Sequence, residues 1–182
     1  MVPDRDDFLG GRETVLREGS LYSGTGVASV AAGDVDRDGK IDLLFFAPAE
    51  TRLWWNRGKG VFEGPYPCGD VDRSHWVNGG AGAVGDLTGN GWDDVVIGDG
   101  NYLKVYENQG FGAFREVAFP EGAVDVGGMV RECVVADLDG DGRKDILWLR
   151  ADGAVGALMQ RAGRRNGGQC SQTPAALRRS AD

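Results

Sequence analysis

The feature that most constrains this chain is a nine-residue acidic segment that occurs three times, at residues 34–42, 86–94 and 137–145. Each copy begins and ends with aspartate, has oxygen-bearing side chains at its third and fifth positions, and has glycine at its sixth position. The first aspartates, at positions 34, 86 and 137, are 52 and 51 residues apart. Because several carboxylates in one loop repel each other unless a cation lies among them, the sequence predicts repeated metal-binding loops.

The oxygen atoms of each segment suit a hard divalent cation. Side-chain oxygens at positions one, three, five and nine, with the backbone carbonyl at position seven, can surround one ion, and the glycine allows the sharp turn. Many ligands at flexible distances favour Ca²⁺ over Mg²⁺, which requires a tighter octahedron. The predicted metal ligands, with Lys40, Trp92 and Arg143 contributing carbonyls, are Asp34, Asp36, Asp38, Lys40, Asp42, Asp86, Thr88, Asn90, Trp92, Asp94, Asp137, Asp139, Asp141, Arg143 and Asp145.

Two alternatives to this interpretation can be weighed from the same residues. An EF-hand shares the opening of the segment but closes with glutamate at position twelve, where this chain has Phe45, Ile97 or Trp148. A metal-free Asp-Gly β-turn is the second alternative, and three copies in register argue against it.

The three segments are not equivalent in charge. The second offers two aspartates at the ligand positions, Asp86 and Asp94, whereas the first and the third offer four each. Since ligand charge tunes calcium affinity, we expect the second segment to bind calcium most weakly.

Short apolar segments around the loops predict four β-strands per repeat. The predicted strands are residues 27–32, 41–46, 51–55 and 61–63 in the first repeat, 95–97, 102–106 and 113–115 in the second, and 146–149 and 155–159 in the third. The third repeat lacks a counterpart of the fourth strand, and a strand within about residues 7–20 matches the last strand of a preceding unit.

Two longer segments carry a family resemblance. Residues 32–44 hold the first acidic segment with its flanks, and residues 105–114 end in Asn-Gln-Gly-Phe-Gly-Ala-Phe. With these motifs, the chain over about residues 7–160 resembles the FG-GAP/VCBS repeats of integrin α-subunit-like β-propellers. The resemblance implies an all-β fold of four-stranded blades, with calcium in the loop between the first two strands of each blade.

The repeat spacing then gives a domain organisation. Residues 1–160 form a propeller segment of about three blades, in units centred on 34–66, 86–118 and 137–160, and residues 161–182 form a basic tail that we predict to be disordered. Because propellers close with about four to eight blades, we expect a partial or open propeller. Its exposed edges would be covered by self-association or by missing blades.

Composition limits the partners and the location. The net charge is −8, and residues 161–182 hold five arginines against one aspartate, so residues 1–160 carry −12. An acidic body argues against nucleic acid as a partner. Residues 1–30 contain no apolar core of a signal peptide, and no apolar run is long enough to span a bilayer. The resemblance implies an extracellular or cell-surface protein; a missing leader or parent chain and an intracellular protein both stay open.

The resemblance implies a binding or adhesion scaffold in which calcium is structural. The alternative is a lectin-like module or a non-catalytic part of a polysaccharide-active enzyme, with Trp54, Trp55, Trp76 and Trp92 as candidates for stacking on sugars. We expect Trp54 and Trp148 to be core residues, and Trp76 to lie in a loop. With His75 as its one histidine, no Gly-x-Ser-x-Gly and no CxxC, the chain is not expected to be an enzyme or a zinc protein.

Overall fold

The computed structural model describes residues 29–47, 50–68, 71, 81–117 and 123–160. The predicted strand at about residues 7–20, the loop residues His75 and Trp76, and the tail at 161–182 lie outside the described residues. These predictions are therefore not tested by the structure.

Within these ranges the chain forms twelve β-strands in three antiparallel sheets. Their bounds are β1 Ser29–Gly33, β2 Asp42–Ala47, β3 Glu50–Gly58 and β4 Val61–Pro67 in the first sheet; β5 Ala81–Gly85, β6 Asp94–Asp99, β7 Tyr102–Asn108, β8 Phe114–Glu116 and β9 Val124–Asp125 in the second; and β10 Val130–Ala136, β11 Asp145–Arg150 and β12 Val155–Leu158 in the third. The strands of each sheet follow chain order, except that β9 pairs with β7.

This architecture confirms the all-β prediction of four-stranded units. Each acidic segment joins the first two strands of its sheet, and its last aspartate is the first residue of the second strand. The third sheet has three strands among the described residues, as the sequence predicts. The described sheets form a partial propeller that does not close.

The core lies between neighbouring sheets. One cluster of buried side chains joins the first sheet to the second, through Leu44 and Phe46 on one side and Val95 and Ile97 on the other. A second cluster joins the second sheet to the third in the same way, and it includes Trp148. Each sheet therefore buries apolar surface against the next, which is the main favourable contribution to folding.

Glycines on the inner strands let the sheets approach closely. A Cβ atom on Gly33 would lie 2.4 Å from Cγ1 of Val84, and one on Gly82 would lie 2.4 Å from the ring of Phe46. A residue with a side chain at either position would force the neighbouring sheets apart. Some of the glycine abundance thus serves contacts between sheets, and the rest serves turns.

Two tryptophans and two cysteines lie in the core of the described residues. Trp54 and Trp148 are buried, which confirms the prediction that they are core residues. Cys68 and Cys133 are buried and do not pair with each other, and Cys170 lies outside the described residues. No helix in the described part of the chain has the length and apolar character needed to cross a membrane.

Candidate metal-binding loops

The carboxylate of the first aspartate in each acidic segment accepts hydrogen bonds from backbone N–H groups later in the same loop. Asp34 accepts hydrogen bonds from the backbone N–H groups of Asp38, at 3.1 Å, and Gly39, at 3.0 Å. Asp86 and Asp137 accept equivalent bonds within their own loops, the latter including one from Gly142 at 2.9 Å. The aspartate at position one therefore stabilises the turn of the loop through these hydrogen bonds.

The last aspartate of each segment is buried and ties the loop to a distant strand. Asp42 accepts from the N–H of Val35 at 3.0 Å and from the N–H of Asn56 at 2.8 Å. Asp94 and Asp145 are connected in the same way. Asp94 accepts from the N–H of Asn108 at 2.8 Å, and Asp145 accepts from the N–H of Gln160 at 2.7 Å. Each carboxylate thus connects the loop and the second strand with a residue in the third strand or, for Gln160, just after it.

Two of the three loops gather three carboxylates. Oxygen atoms of Asp34, Asp36 and Asp42 lie within 4.8 Å of one another, as do those of Asp137, Asp139 and Asp145. Two ligands of one calcium ion, each at about 2.3–2.6 Å from it, lie no more than about 5 Å apart. Each of these two groups could therefore hold one metal ion.

The second loop keeps the shape of the others but has fewer carboxylates. Asp86 and Asp94 occupy the first and last positions, and Asn90 places its side-chain oxygen 2.8 Å from the N–H of Trp92. Asp94 accepts from the N–H groups of Leu87, at 2.9 Å, and Thr88, at 2.8 Å. The predicted ligand positions are thus folded as in the other loops, with amide and hydroxyl oxygens replacing two negative charges.

The fifth position differs from the expected ligand arrangement. Asp38 and Asp141 lie outside the two carboxylate groups, and their side chains pair with Lys40 and Arg143, the residues at position seven of the same loops. The ammonium of Lys40 lowers the pKa of Asp38. Because such exposed ion pairs contribute little to stability, a divalent ion could displace these cations at small cost.

The backbone N–H of each position-seven residue donates to the position-five side chain. The distances are 2.9 Å for Lys40, 2.8 Å for Trp92 and 2.9 Å for Arg143. The predicted ligands at positions five and seven are therefore linked to each other in all three loops.

Burial raises the pKa of two of the last aspartates of the segments, Asp42 and Asp94. The pKa of Asp94 is raised to about 6. Desolvation disfavours an ionised carboxylate, whereas a nearby positive charge favours it. A cation in the loop would therefore offset the electrostatic cost of burying these side chains.

Two kinds of contact around the loops were not predicted from the sequence. Asp93, next to Asp94, accepts from the N–H of Asp34 at 2.9 Å and so joins the second loop to the first. The side chain of Asn108 donates to the carbonyl of Val35 at 2.9 Å, and Gln160 donates to that of Leu87. The repeated Asn-x-Gly motif signals a turn at Asn108, where its side-chain oxygen accepts from Gly110, but gives no sign of the contact with the neighbouring sheet.

Comparison with known protein families places these loops at the start of a recognised repeat. A family model described as FG-GAP-like repeat matches residues 34–97 and residues 86–148. Both matches begin at the first aspartate of an acidic loop. No curated protein matches the chain.

Proposed function

Because the chain belongs to the FG-GAP-like repeat family, we propose that it is a calcium-binding β-propeller segment that acts as a scaffold for binding or adhesion. The observation that carries the proposal is the shared arrangement of the acidic loops. In each, a buried aspartate at the start of the second strand accepts from the backbone of a residue in or just after the third strand. In two of the loops, three carboxylates lie close enough to hold one ion. Calcium has a structural role in this proposal.

The structural role follows from where the carboxylates lie. Asp42 starts β2 and accepts from the N–H of Asn56 in β3, while Asp34 and Asp36 belong to the loop that follows β1. An ion bound to all three would connect the loop with the second and third strands of the sheet. Binding free energy would then stabilise the folded sheet, since the unfolded chain does not hold these oxygens together.

The three loops are expected to differ in affinity, and substitution of their first aspartates tests this. In a calorimetric calcium titration, Asp34→Asn and Asp137→Asn should each remove one of the two tighter sites, because a ligand charge is lost from a three-carboxylate group. Asp86→Asn should leave both tighter sites in place. Asp125→Asn, an exposed aspartate outside the loops, is the matched control, and loss of a tight site in Asp86→Asn would contradict the ranking.

The scaffold role concerns the surfaces of the sheets rather than a catalytic centre. The proposal includes no catalytic step, and it assigns the chain a protein or glycan ligand rather than nucleic acid, in keeping with the charge of −12 on residues 1–160. An extracellular or cell-surface location is part of it, because the family is typically extracellular. Calcium sites of extracellular modules have dissociation constants of about 10⁻⁴–10⁻³ M.

Carbohydrate binding is a second candidate function, and one exposed aromatic cluster favours it. Phe111 is 75% exposed and is held at a φ of 51°, a strained conformation for a bulky residue. Its ring centroid lies 5.5 Å from that of Trp92, and the guanidinium of Arg37 lies 5.1 Å from the centroid of Trp92. The exposed ring of Phe111, packed against the half-buried Trp92 beside a cation, is a surface on which a sugar ring could stack.

A glycan array tests the second candidate. If the cluster binds sugars, the wild-type chain should bind at least one class of glycan in calcium, and Phe111→Ala should abolish that binding by removing the exposed stacking surface. Val155→Ala, which removes a similarly exposed apolar side chain from β12, is the control. Binding that survives Phe111→Ala, or an array without any bound glycan, would contradict carbohydrate binding at this cluster.

A further inference from the structure

The described part of the chain forms two junctions between neighbouring sheets, and equivalent residues meet at both. The first junction joins the first and second sheets, and the second joins the second and third. In each case a glycine directly before the first aspartate of one loop meets a valine of the next sheet, two positions before the first aspartate of that sheet's loop. Gly33 meets Val84, and Gly85 meets Val135. The outer sheets each present one further half of such a junction, on surfaces that face away from the second sheet.

We define these surfaces by their residues. The head face is the side of the first sheet turned away from the second, and it carries Val30, Ala32, Ile41 and Asn56. The tail face is the side of the third sheet turned away from the second, and it carries Ala136, Leu138 and Leu149. The assignment follows from strand alternation, since Ala31 packs into the cluster shared with the second sheet and Trp148 packs into the cluster of the second junction.

The sizes of the closest residues are complementary between the two faces. At the two junctions within the chain, a Cβ on the glycine would lie 2.4 Å and 2.6 Å from Cγ1 of the opposing valine, but 3.3 Å from its Cβ. The tail face has Ala136 where the other sheets have glycine, and the head face has Ala32 where the others have valine. In the same register, Ala136 of one copy would meet Ala32 of another at about the 3.3 Å Cβ separation, which a shift of a few tenths of an ångström relieves.

The hydrogen bond from an asparagine side chain to the neighbouring sheet also has groups on the two faces that are unused among the described residues: a donor on the head face and an acceptor on the tail face. Asn108 donates both to Asp93, at 3.0 Å within its own sheet, and to the carbonyl of Val35 across the first junction. Asn56 makes the first kind of bond, to Ile41 at 2.9 Å, and its second N–H has no acceptor among the described residues. The carbonyl at the matching position of the tail face belongs to Leu138.

Apolar side chains that are buried at the two junctions are exposed at their counterparts on the open faces. Val35 and Leu87 are buried, whereas the equivalent Leu138 is 43% exposed. Phe46 is buried against Gly82 at the first junction. The residue equivalent to Phe46 on the tail face is Leu149, which is 37% exposed, and the residue equivalent to Gly82 on the head face is Val30, which is 56% exposed. Val30 on the head face, and Leu138 and Leu149 on the tail face, are thus exposed where a third junction would bury them.

We propose that the head face of one copy of this chain docks on the tail face of a second copy and forms a third junction in the register of the other two. The contact is heterologous, so it closes into a ring or continues as an open chain of copies. The described residues of two copies supply six sheets, within the range of about four to eight blades that closed propellers use. The expected assembly is therefore a closed dimer with two such junctions.

Sedimentation of the full chain in calcium, with a charge-swap pair of variants, tests this assembly. The wild type should sediment as a dimer, and Val30→Glu and Leu149→Lys should each shift it to a monomer, because each buries an unpaired charge in both junctions. The double variant Val30→Glu/Leu149→Lys should recover the dimer, since opposite charges then face each other across each junction. Val61→Glu is the matched control, because Val61 is 57% exposed on the outermost strand of the first sheet, and it should remain dimeric.

Circular dichroism of each variant confirms that it is folded before its mass is interpreted. A wild type that is monomeric at every soluble concentration would overturn the proposal, and would favour residues 1–28 of the same chain as the cover of the head face. Single variants that stay dimeric would also overturn it. A double variant that stays monomeric while Val61→Glu dimerises would overturn the register of the junction.

Discussion

Removing calcium is expected to lower the melting temperature of this chain by about 10–20 °C. A ligand that binds the folded state alone contributes about 2.7 kcal/mol when its concentration is 100 times its dissociation constant. The two three-carboxylate groups, Asp34 with Asp36 and Asp42, and Asp137 with Asp139 and Asp145, would together contribute about 5 kcal/mol. For a chain of this length, each kcal/mol corresponds to about 2–4 °C in melting temperature.

The measurement is a thermal melt followed by circular dichroism, in saturating calcium and in excess chelator. The double variant Asp34→Asn/Asp137→Asn is the control, because it removes a charge from each of the two groups, and its melt should respond little to the chelator. Magnesium at the same concentration should restore less stability, since the loops offer flexible oxygen ligands rather than a tight octahedron. A wild-type melt that the chelator leaves unmoved would contradict a structural role for calcium.

Replacing Asp94 by alanine is expected to destabilise the metal-free chain by about 3 kcal/mol or more at pH 5. Asp94 is buried and accepts hydrogen bonds from three backbone N–H groups, those of Leu87, Thr88 and Asn108. Alanine would leave these donors without their acceptor, and each buried donor left unsatisfied costs about 1–3 kcal/mol. Chemical denaturation at fixed pH gives the free energy of unfolding. Asp125→Ala is the control and should change it by only about 1 kcal/mol, because the exposed Asp125 loses a single hydrogen bond, from the N–H of Gly127.

The same variant has a predicted pH dependence. The folded pKa of Asp94, about 6, lies above its ordinary value of 3.8. A carboxyl group with a raised pKa stabilises the fold fully below its unfolded pKa, and loses that contribution as the pH rises through the folded pKa. The difference in stability between wild type and Asp94→Ala should therefore narrow between pH 5 and pH 7 in the absence of metal, and a difference that widens would contradict the raised pKa.

The elements of the fold that the sequence predicts are those set by local pattern. The acidic loops contain their own turn-forming glycines and carboxylates, and apolar segments follow them, so each loop and the strand beginning at Asp42, Asp94 or Asp145 can be recognised from a short stretch of residues. The repeat spacing then supplies the rest of each sheet. Strand ends are less accurate: β3 and β4 run on to Gly58 and Pro67, because pairing between them extends past the apolar residues.

The contacts between sheets could not be predicted in the same way, since they join residues far apart in the sequence, such as Phe46 with Gly82 and Val35 with Asn108. Nothing local to Asn108 or Gln160 indicates that its amide reaches the loop of the preceding sheet. Gly82 has a turn-like composition around it, yet its role is to admit the ring of Phe46. The pairing of Asp38 with Lys40 was likewise missed, because the spacing of ligand types does not show which oxygens are already neutralised by the chain's own cations.

The central claim, that the acidic loops are calcium sites, is tested most directly by the calorimetric titration of the metal-free wild-type chain with calcium. We predict two tighter sites, from the loops at 34–42 and 137–145, and a weaker third from the loop at 86–94. A titration without saturable calcium binding, or with its tightest site in the second loop, would contradict it.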